Sequence, residues 1–359
     1  MSELRQDLTN KSWVIMAPER AKRPQTETKA KPADEVPEWD AACPFCPGNE
    51  EQTCGETFRL PQTGQSSRWE VRVVPNRFPA LMLKGSSERR EEDHFFRTMD
   101  GYGAHEVIIE TPSHNTPPAL MAYEHVEKVL TAYLERYTTL KKNRQFRFIT
   151  IFKNHGWASG TSLVHPHSQL VATPIMATYY HRKYDVAHDY HADMGRCLYC
   201  DLIAAEMEKG ERIVAETERF IIFHPYASRV PYETWIIPKR HCASFGLVTA
   251  GDIPELARVL KDSLLCLYRE MDNPAFNYVI DTSTTDVEDD PYYHWHLRIV
   301  PRLTTIAGFE IGSGIYISSA LPEETAKLMR KCCYSLLQEG KVCLVPAGRP
   351  STLPDIKQP

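Results

Sequence analysis

His165, His167 and Gln169 stand at alternate positions in the segment His165-Pro166-His167-Ser168-Gln169. On an extended backbone such positions share one face. One imidazole can then bind a metal or hold position while the other does chemistry. The segment follows Gly156-Trp157-Ala158-Ser159-Gly160-Thr161-Ser162, whose glycines and small side chains offer backbone N–H groups suited to a phosphate. Neutral imidazole is abundant near neutral pH and attacks phosphorus well. The chemistry indicated is covalent phosphoryl or nucleotidyl transfer through a histidine. For the two histidines taken alone, the plainer alternative is a strand whose histidines have no chemical role.

The same layout occurs twice along the chain. His105-Glu106-Val107-Ile108-Ile109-Glu110-Thr111-Pro112-Ser113-His114 runs parallel to Tyr232-Glu233-Thr234-Trp235-Ile236-Ile237-Pro238-Lys239-Arg240-His241. Each has a Glu, an apolar strand-like run, a Pro and a His. The separations Glu106 to Glu233 and His114 to His241 are both 127, and His165 to His294 and His167 to His296 are both 129. Cys43-Pro44-Phe45-Cys46 opens the first half and Cys197-Leu198-Tyr199-Cys200 the second. An internal duplication explains this order, and the period is too long for a solenoid.

The duplicated order carries metal chemistry. Each Cys-x-x-Cys puts two thiolates on a tight turn, and one histidine from each later segment can complete a tetrahedral site. The expected groups are Cys43, Cys46, His114 and His165, and Cys197, Cys200, His241 and His294. Two sulfurs with two imidazoles favour zinc, and four protein ligands make each site structural. Such a site would tie the His-x-His strand to the Cys-x-x-Cys turn and hold His167 in a fixed pose. Zinc is expected at both sites, with iron as the alternative at the second.

With these motifs in order, the chain resembles the galactose-1-phosphate uridylyltransferase family of the histidine-triad-like (HIT-like) superfamily. The residues that carry the resemblance include Ala17-Pro18-Glu19-Arg20-Ala21-Lys22-Arg23-Pro24, Cys43-Pro44-Phe45-Cys46, Val74-Pro75-Asn76-Arg77-Phe78-Pro79, Phe152-Lys153-Asn154, Gly160-Thr161-Ser162, the HPHSQ segment and Ala307-Gly308-Phe309-Glu310. The resemblance implies that His167 is the nucleophile that accepts a nucleoside monophosphate and that Gln169 hydrogen-bonds the phosphoryl group. It implies that Asn154, Gly160 and Ser162 hold phosphates, that Arg20 and Arg23 supply positive charge, that Asn76 contacts the nucleotide and that Glu310 contacts the hexose. It also implies a homodimer, and two half-sheets joined into one.

The leading reading is ping-pong transfer of UMP between UDP-glucose and galactose 1-phosphate. The second half has His294-Trp295-His296-Leu297-Arg298, with no glutamine after its histidines, so His296 is expected to be non-catalytic. The Cys197/Cys200 pair and the run Phe309 to Tyr316 also resemble plant enzymes that phosphorolyse ADP-glucose. An ADP-glucose phosphorylase is therefore the alternative. A HIT-type hydrolase is less favoured, because glutamine at 169 cannot titrate. From another class, a zinc-stabilised nucleotide-sugar binding protein would require an inert His167.

Such residues must be positioned by a fold, and the pattern predicts an α+β one: duplicated HIT-like halves with an antiparallel sheet and flanking helices. The division is expected at 1–184, a catalytic half, and 185–359, a second half with a polar tail. Helical periodicity marks Tyr123 to Lys141 and Asp252 to Met271. Pro322 near a first turn opens a final helix to Gln338. Strand-like runs include Trp69–Val74, Val107–Thr111, Phe146–Phe152, Ser168–Ala172, Phe220–Phe223, Thr234–Ile237, Asn277–Ile280 and Leu297–Val300. Glu106 and Glu233 open equivalent strands and are expected to be structural. Loops are expected at Pro24–Glu38, Gln62–Arg68 and Lys84–Tyr102, with a linker over Asp185–Gly195.

Composition is that of a soluble globular protein: 359 residues, 42% hydrophobic and 25% charged. A net charge of -5 gives no reason to expect a nucleic-acid partner, so an anionic substrate must meet local positive charge. No apolar run reaches membrane-spanning length, and the first residues lack an apolar signal segment. Four of the ten cysteines lie in the paired motifs, which fits metal ligation in a reducing cytoplasm.

Overall fold

The computed structural model describes residues 2–22, 36–61 and 68–347. Its first half runs β1 (Glu3–Asp7), β2 (Ser12–Met16), β3 (Phe58–Leu60), β4 (Val71–Pro75), β5 (Arg90–Glu92), β6 (Phe96–Thr98), β7 (Ala104–Ile109), α1 (Tyr123–Leu140), β8 (Phe148–His155) and β9 (His167–Thr173). There follow α2 (Thr178–Met194), α3 (Leu198–Lys209), β10 (Ile213–Glu216), β11 (Phe220–Phe223), β12 (Thr234–Pro238), α4 (Ile253–Glu270), β13 (Phe276–Asp281), β14 (His296–Pro301), α5 (Gly308–Ser313), β15 (Tyr316–Ser318) and α6 (Pro322–Gln338). The eight expected strands and three expected helices are all present, with ends shifted by at most a few residues.

Ten strands form one sheet in the order β10-β11-β12-β14-β13-β8-β9-β7-β4-β3. Read from the centre outward, each half repeats the other: β8, β9, β7, β4, β3 against β13, β14, β12, β11, β10. Every pairing in this sheet is antiparallel, including the seam, where Asn277 faces Asn154 and Tyr278 faces Lys153. The half-sheets are thus joined into one sheet, as the resemblance implied.

Alternation along the strands builds two unlike faces. Val71, Val73, Ile108, Ile149, Ile151, Leu170 and Ala172 point into the main core with the apolar stripes of α1, α4 and α6. Val74, Val107 and Ile109 point the other way and pack with Cys43, Phe45, Cys46 and Trp69. On the same side of the second half, Ile221, Phe223, Trp235 and Ile237 pack with Ala187 of α2 and with Cys197, Tyr199 and Ile203 at α3. Helices α1, α4 and α6 therefore cover one face, and the Cys-x-x-Cys turns, with α2 and α3, lie on the other.

Two expected loops differ from the structure. Asp185–Gly195 is not a linker: α2 runs through residue 194, and the expected division after residue 184 falls inside it. Its charged outer face reads as loop, and only Tyr180, Lys183, Val186 and Ala187 are buried. Within Lys84–Tyr102, β5 and β6 pair as a hairpin, and Arg90 bonds Asp100 at 2.7 Å. The expected loop Pro24–Glu38 falls outside the described residues up to residue 35, as do residues 62–67 and the tail from 348.

Candidate active site and metal centres

β9 pairs with β7 so that His167 faces Ile109, Gln169 faces Val107 and Val171 faces His105. His167, Gln169 and His105 thus share the face that carries the Cys-x-x-Cys turn. Ser168 points to the opposite, helix-covered face. There it meets a buried polar cluster. Lys153 Nζ donates to Glu110 Oε2 at 2.6 Å and to His167 O at 3.0 Å. Ser168 Oγ donates to Glu110 Oε1, and the hydroxyls of Tyr133 and Tyr278 lie 2.6 Å apart within the cluster. Burial alone would raise the Glu110 carboxyl, but the Lys153 ammonium and the Ser168 hydroxyl hold it below its usual range. An ionised, fully bonded cluster thus anchors β7, β8 and β9 directly beneath His167.

His167 is buried, and its Nδ1 donates to the carbonyl of His165 at 2.8 Å. That bond leaves the Nε2 lone pair available. Burial, with the Lys153 ammonium acting in the same direction, pushes its pKa below the ordinary histidine value, so the ring is neutral. Phe45, inside the Cys-x-x-Cys turn, packs edge-on against the ring at 5.3 Å. His167 borders a cavity of about 400 Å³ that is also lined by Lys153, Asn154, Trp157, Thr161, Ser162 and Val164. Gly160 closes the intervening turn at φ +90°, a conformation that favours glycine. Trp157 is 82% exposed at the cavity, whereas Trp295 is core.

Gln169 is oriented by a residue to which the sequence reading gave no role. The backbone N–H of Ala80 donates to His105 Nδ1 at 3.1 Å, which leaves the His105 proton on Nε2. Nε2 donates to Gln169 Oε1 at 2.7 Å, so the NH2 end of the Gln169 amide remains to donate. Asn76 lies against the same ring without a hydrogen bond to it, since its NH2 and the His105 Nε2–H are both donors, and its Oδ1 accepts from Phe78 N.

Arg20 and Glu310 are not among the residues that line the cavity. Arg20 is exposed on the short helix Pro18–Lys22, and Arg23 lies outside the described residues. Glu310 caps α5, its Oε2 accepting from Ala307 N at 3.1 Å. Glu106 is structural, held in a buried pair with Arg136 at 2.7 Å. Glu233 likewise accepts from Arg229 N and Trp235 Nε1.

The eight expected metal ligands form two clusters, Cys43, Cys46, His114, His165 and Cys197, Cys200, His241, His294, each with its ligand atoms within 4.8 Å of one another. In the first, Nδ1 of His114 and of His165 lie 3.4 and 3.6 Å from Cys46 Sγ. In the second, Nδ1 of His241 and of His294 lie 3.4 and 3.7 Å from Cys200 Sγ. A tetrahedron with zinc-like bond lengths has an S–N edge of about 3.5 Å. Nε2 of His165 donates to Thr111 O, of His241 to Asp290 O and of His294 to Pro238 O. These bonds place the proton away from the cluster and leave Nδ1 to ligate. Burial also pushes the His165 pKa down to about 4, which keeps it neutral. Both groups can hold a metal ion.

The second His-x-His differs from the first in what surrounds it. His296 Nδ1 donates to His294 O at 3.1 Å, as His167 does to His165 O. Its Nε2, however, accepts from Lys183 Nζ at 3.2 Å, and Lys183 also donates to Asp281 Oδ2 at 2.7 Å. Trp235 stacks on the ring at 4.3 Å. Asp281 faces His296 across β13 and β14. In the first half Lys153 faces Ser168, so the next position places Asn154 opposite His167. Asn154 is thus matched by a carboxylate, which repels phosphate, and Gln169 by Arg298.

The comparisons with known proteins cover nearly the whole chain. The family model "Galactose-1-phosphate uridyl transferase, N-terminal domain" matches residues 1–177, and its C-terminal counterpart matches 181–339. ADP-glucose phosphorylase of Arabidopsis thaliana is 35% identical over 332 residues, 92% of each chain. Galactose-1-phosphate uridylyltransferase of Thermotoga maritima is 28% identical over 340 residues, 92% of this chain and 98% of that one. The crystal structure of the Arabidopsis ADP-glucose phosphorylase with bound ADP-glucose superposes with a TM-score of 0.80 at 33% identity, covering 92% of this chain and 98% of that one. A uridylyltransferase structure superposes at 0.72 with 25% identity, covering 94% and 100%. Among the described residues, no helix is long and apolar enough to cross a membrane. By sequence and by fold, this chain belongs to the galactose-1-phosphate uridyl transferase family and is a nucleotidyltransferase.

Proposed function

We propose that His167 carries the transferred nucleotide as a nucleotidyl-histidine in a ping-pong reaction, with a nucleoside diphosphate hexose as donor. The observation that carries this reading is the pose of His167: Nδ1 is committed to His165 O, and the ring borders the cavity that Asn154 and Ser162 also line. Nε2 attacks the α-phosphorus, an N–P bond forms, and the P–O bond to the hexose 1-phosphate breaks. That leaving group is already a stabilised anion and needs little general-acid help. Charge on the phosphoryl oxygens is met by the amide N–H groups of Gln169 and Asn154 and by the turn around Gly160 and Ser162. An acceptor oxygen then attacks the same phosphorus and releases neutral His167.

Two donor–acceptor pairs fit. UDP-glucose with galactose 1-phosphate is the uridylyl reading. ADP-glucose with inorganic phosphate is the adenylyl reading, and the 35% identity to the Arabidopsis phosphorylase weighs toward it. Zinc is the metal we assign to both Cys/His clusters, where it would hold the His165 strand to the Cys43–Cys46 turn. Arg20, Arg23 and Glu310 retain their roles as proposals, as do the division of the chain after residue 184, a homodimer and a cytoplasmic location.

The deciding experiment mixes the protein with each donor without acceptor and records intact mass. An AMP adduct discharged by phosphate supports the phosphorylase; a UMP adduct discharged by galactose 1-phosphate supports the uridylyltransferase. An adduct that persists in His167→Ala, or none from either donor, would overturn the nucleotidyl-His167 reading.

A further inference from the structure

Asn154 and Asn277 face each other across the seam between the two half-sheets. Arg302 Nε lies 2.6 Å from Asn277 Oδ1. A guanidinium can only donate, so this contact identifies the oxygen end of the Asn277 amide. The nitrogen end then donates 2.7 Å to Asn154 Oδ1 and 3.0 Å to the carbonyl of Ser159. That carbonyl can only accept, so both ends of the Asn277 amide give the same orientation. With its oxygen occupied, Asn154 has only its NH2 group left for the cavity it lines.

We infer that Asn277, from the second half of the chain, is a positioning residue for nucleotidyl transfer in the first. It locks the Asn154 amide as an N–H donor toward the phosphoryl oxygens and pins the Trp157–Ser159 turn through Ser159 O. Asn277 is not among the residues lining the cavity, so it acts through these two neighbours. Arg302 acts one step further back, by fixing the Asn277 amide. The inference rests on the nucleotidyl-His167 reading.

Asn277→Asp tests it with little change of shape. The new carboxylate keeps its bond to Arg302 but cannot donate. Asn154 must then turn its NH2 toward β13 and present an acceptor oxygen to the phosphate. The single-turnover rate of adduct formation, at saturating ADP-glucose or UDP-glucose, should fall about 100-fold, the order seen on losing one oxyanion donor. In an Asn154→Ala background the same change should cost no more than about fivefold, because only the bond to Ser159 O, about 1 kcal/mol, is left to lose. An equal loss in both backgrounds would show a merely structural role and overturn the inference. So would a wild-type rate in Asn277→Asp while adduct formation still depends on His167; that outcome leaves the reading itself intact. Failure of the wild-type protein to form an adduct would overturn both. If Asn277→Asp does not fold, Arg302→Met should slow adduct formation about tenfold and Arg302→Lys should restore it, since an ammonium also only donates. Equal rates in those two variants would count against the inference.

Discussion

His296 Nε2 accepts from Lys183 Nζ at 3.2 Å, whereas its counterpart in the first half, His167, has no side chain bonded to Nε2 among the described residues. The ammonium comes from α2, the helix that links the halves. His296→Ala should therefore leave adduct formation intact in the folded protein. It should cost stability, about 1–3 kcal/mol, because Lys183 loses a buried acceptor. Intact mass with donor, alongside thermal melts, checks both parts. A lost adduct in a folded variant would assign His296 a chemical role.

Metal content should follow the two clusters independently. The wild-type protein should carry two equivalents, one per cluster. Cys43→Ala should lose one and slow adduct formation by about 10- to 100-fold, because Phe45 within that turn and the fellow ligand His165 both hold His167. Cys197→Ala should lose the other and lower the melting temperature. Elemental analysis of each variant, with melting scans, reads these outcomes.

The Lys153–Glu110 pair is buried on both sides, and breaking it strands a charge. Lys153→Met should destabilise the protein by about 3–5 kcal/mol in denaturant unfolding. The folded Glu110 pKa is depressed. Its contribution is therefore complete above the carboxyl's ordinary pKa of about 4.3 and is lost as pH falls through the lower folded value. Glu110→Gln should flatten the acid limb of the stability profile. A profile identical to wild type would remove the pair from the stability account.

His105→Phe deletes the donor that holds Gln169 Oε1 while keeping a ring of similar size. A hydrogen bond of about 1 kcal/mol corresponds to roughly a five-fold change. Adduct formation should slow by about that factor, and no further slowing should appear when the same change is made in Gln169→Ala. Independent, multiplying losses would show that His105 acts elsewhere.

Much of this arrangement was legible in the sequence, for identifiable reasons. Matched offsets of 127 and 129 revealed the duplication that the sheet displays as a mirrored strand order. Alternation in His165-Pro166-His167-Ser168-Gln169 placed His167 and Gln169 on one face, because a strand has period two whatever its tertiary setting. Cys-x-x-Cys with spaced histidines identified two clusters, since ligand chemistry is carried by residue type. Asn277 and His105 were not legible. Their roles depend on strand register and on a bond from Arg302 or Ala80, and a lone Asn or His carries no mark of that. Lys183 and Asp281 carry no sign of their buried pairing in the sequence. Only the packing of α2 buries them, and its polar outer face made half of that helix read as linker.

The seam between β8 and β13 also bears on how the chain is made. β8 is complete at His155, but its partner begins only at Phe276. At typical translation speeds of about 5–20 residues per second, roughly 6 to 24 seconds separate the two on the ribosome. Throughout that interval the nascent first half exposes an unpaired strand edge, a template for pairing with the wrong neighbour. Expression conditions that lengthen the interval should favour aggregates, and supplying the second half in trans should rescue a truncated first half.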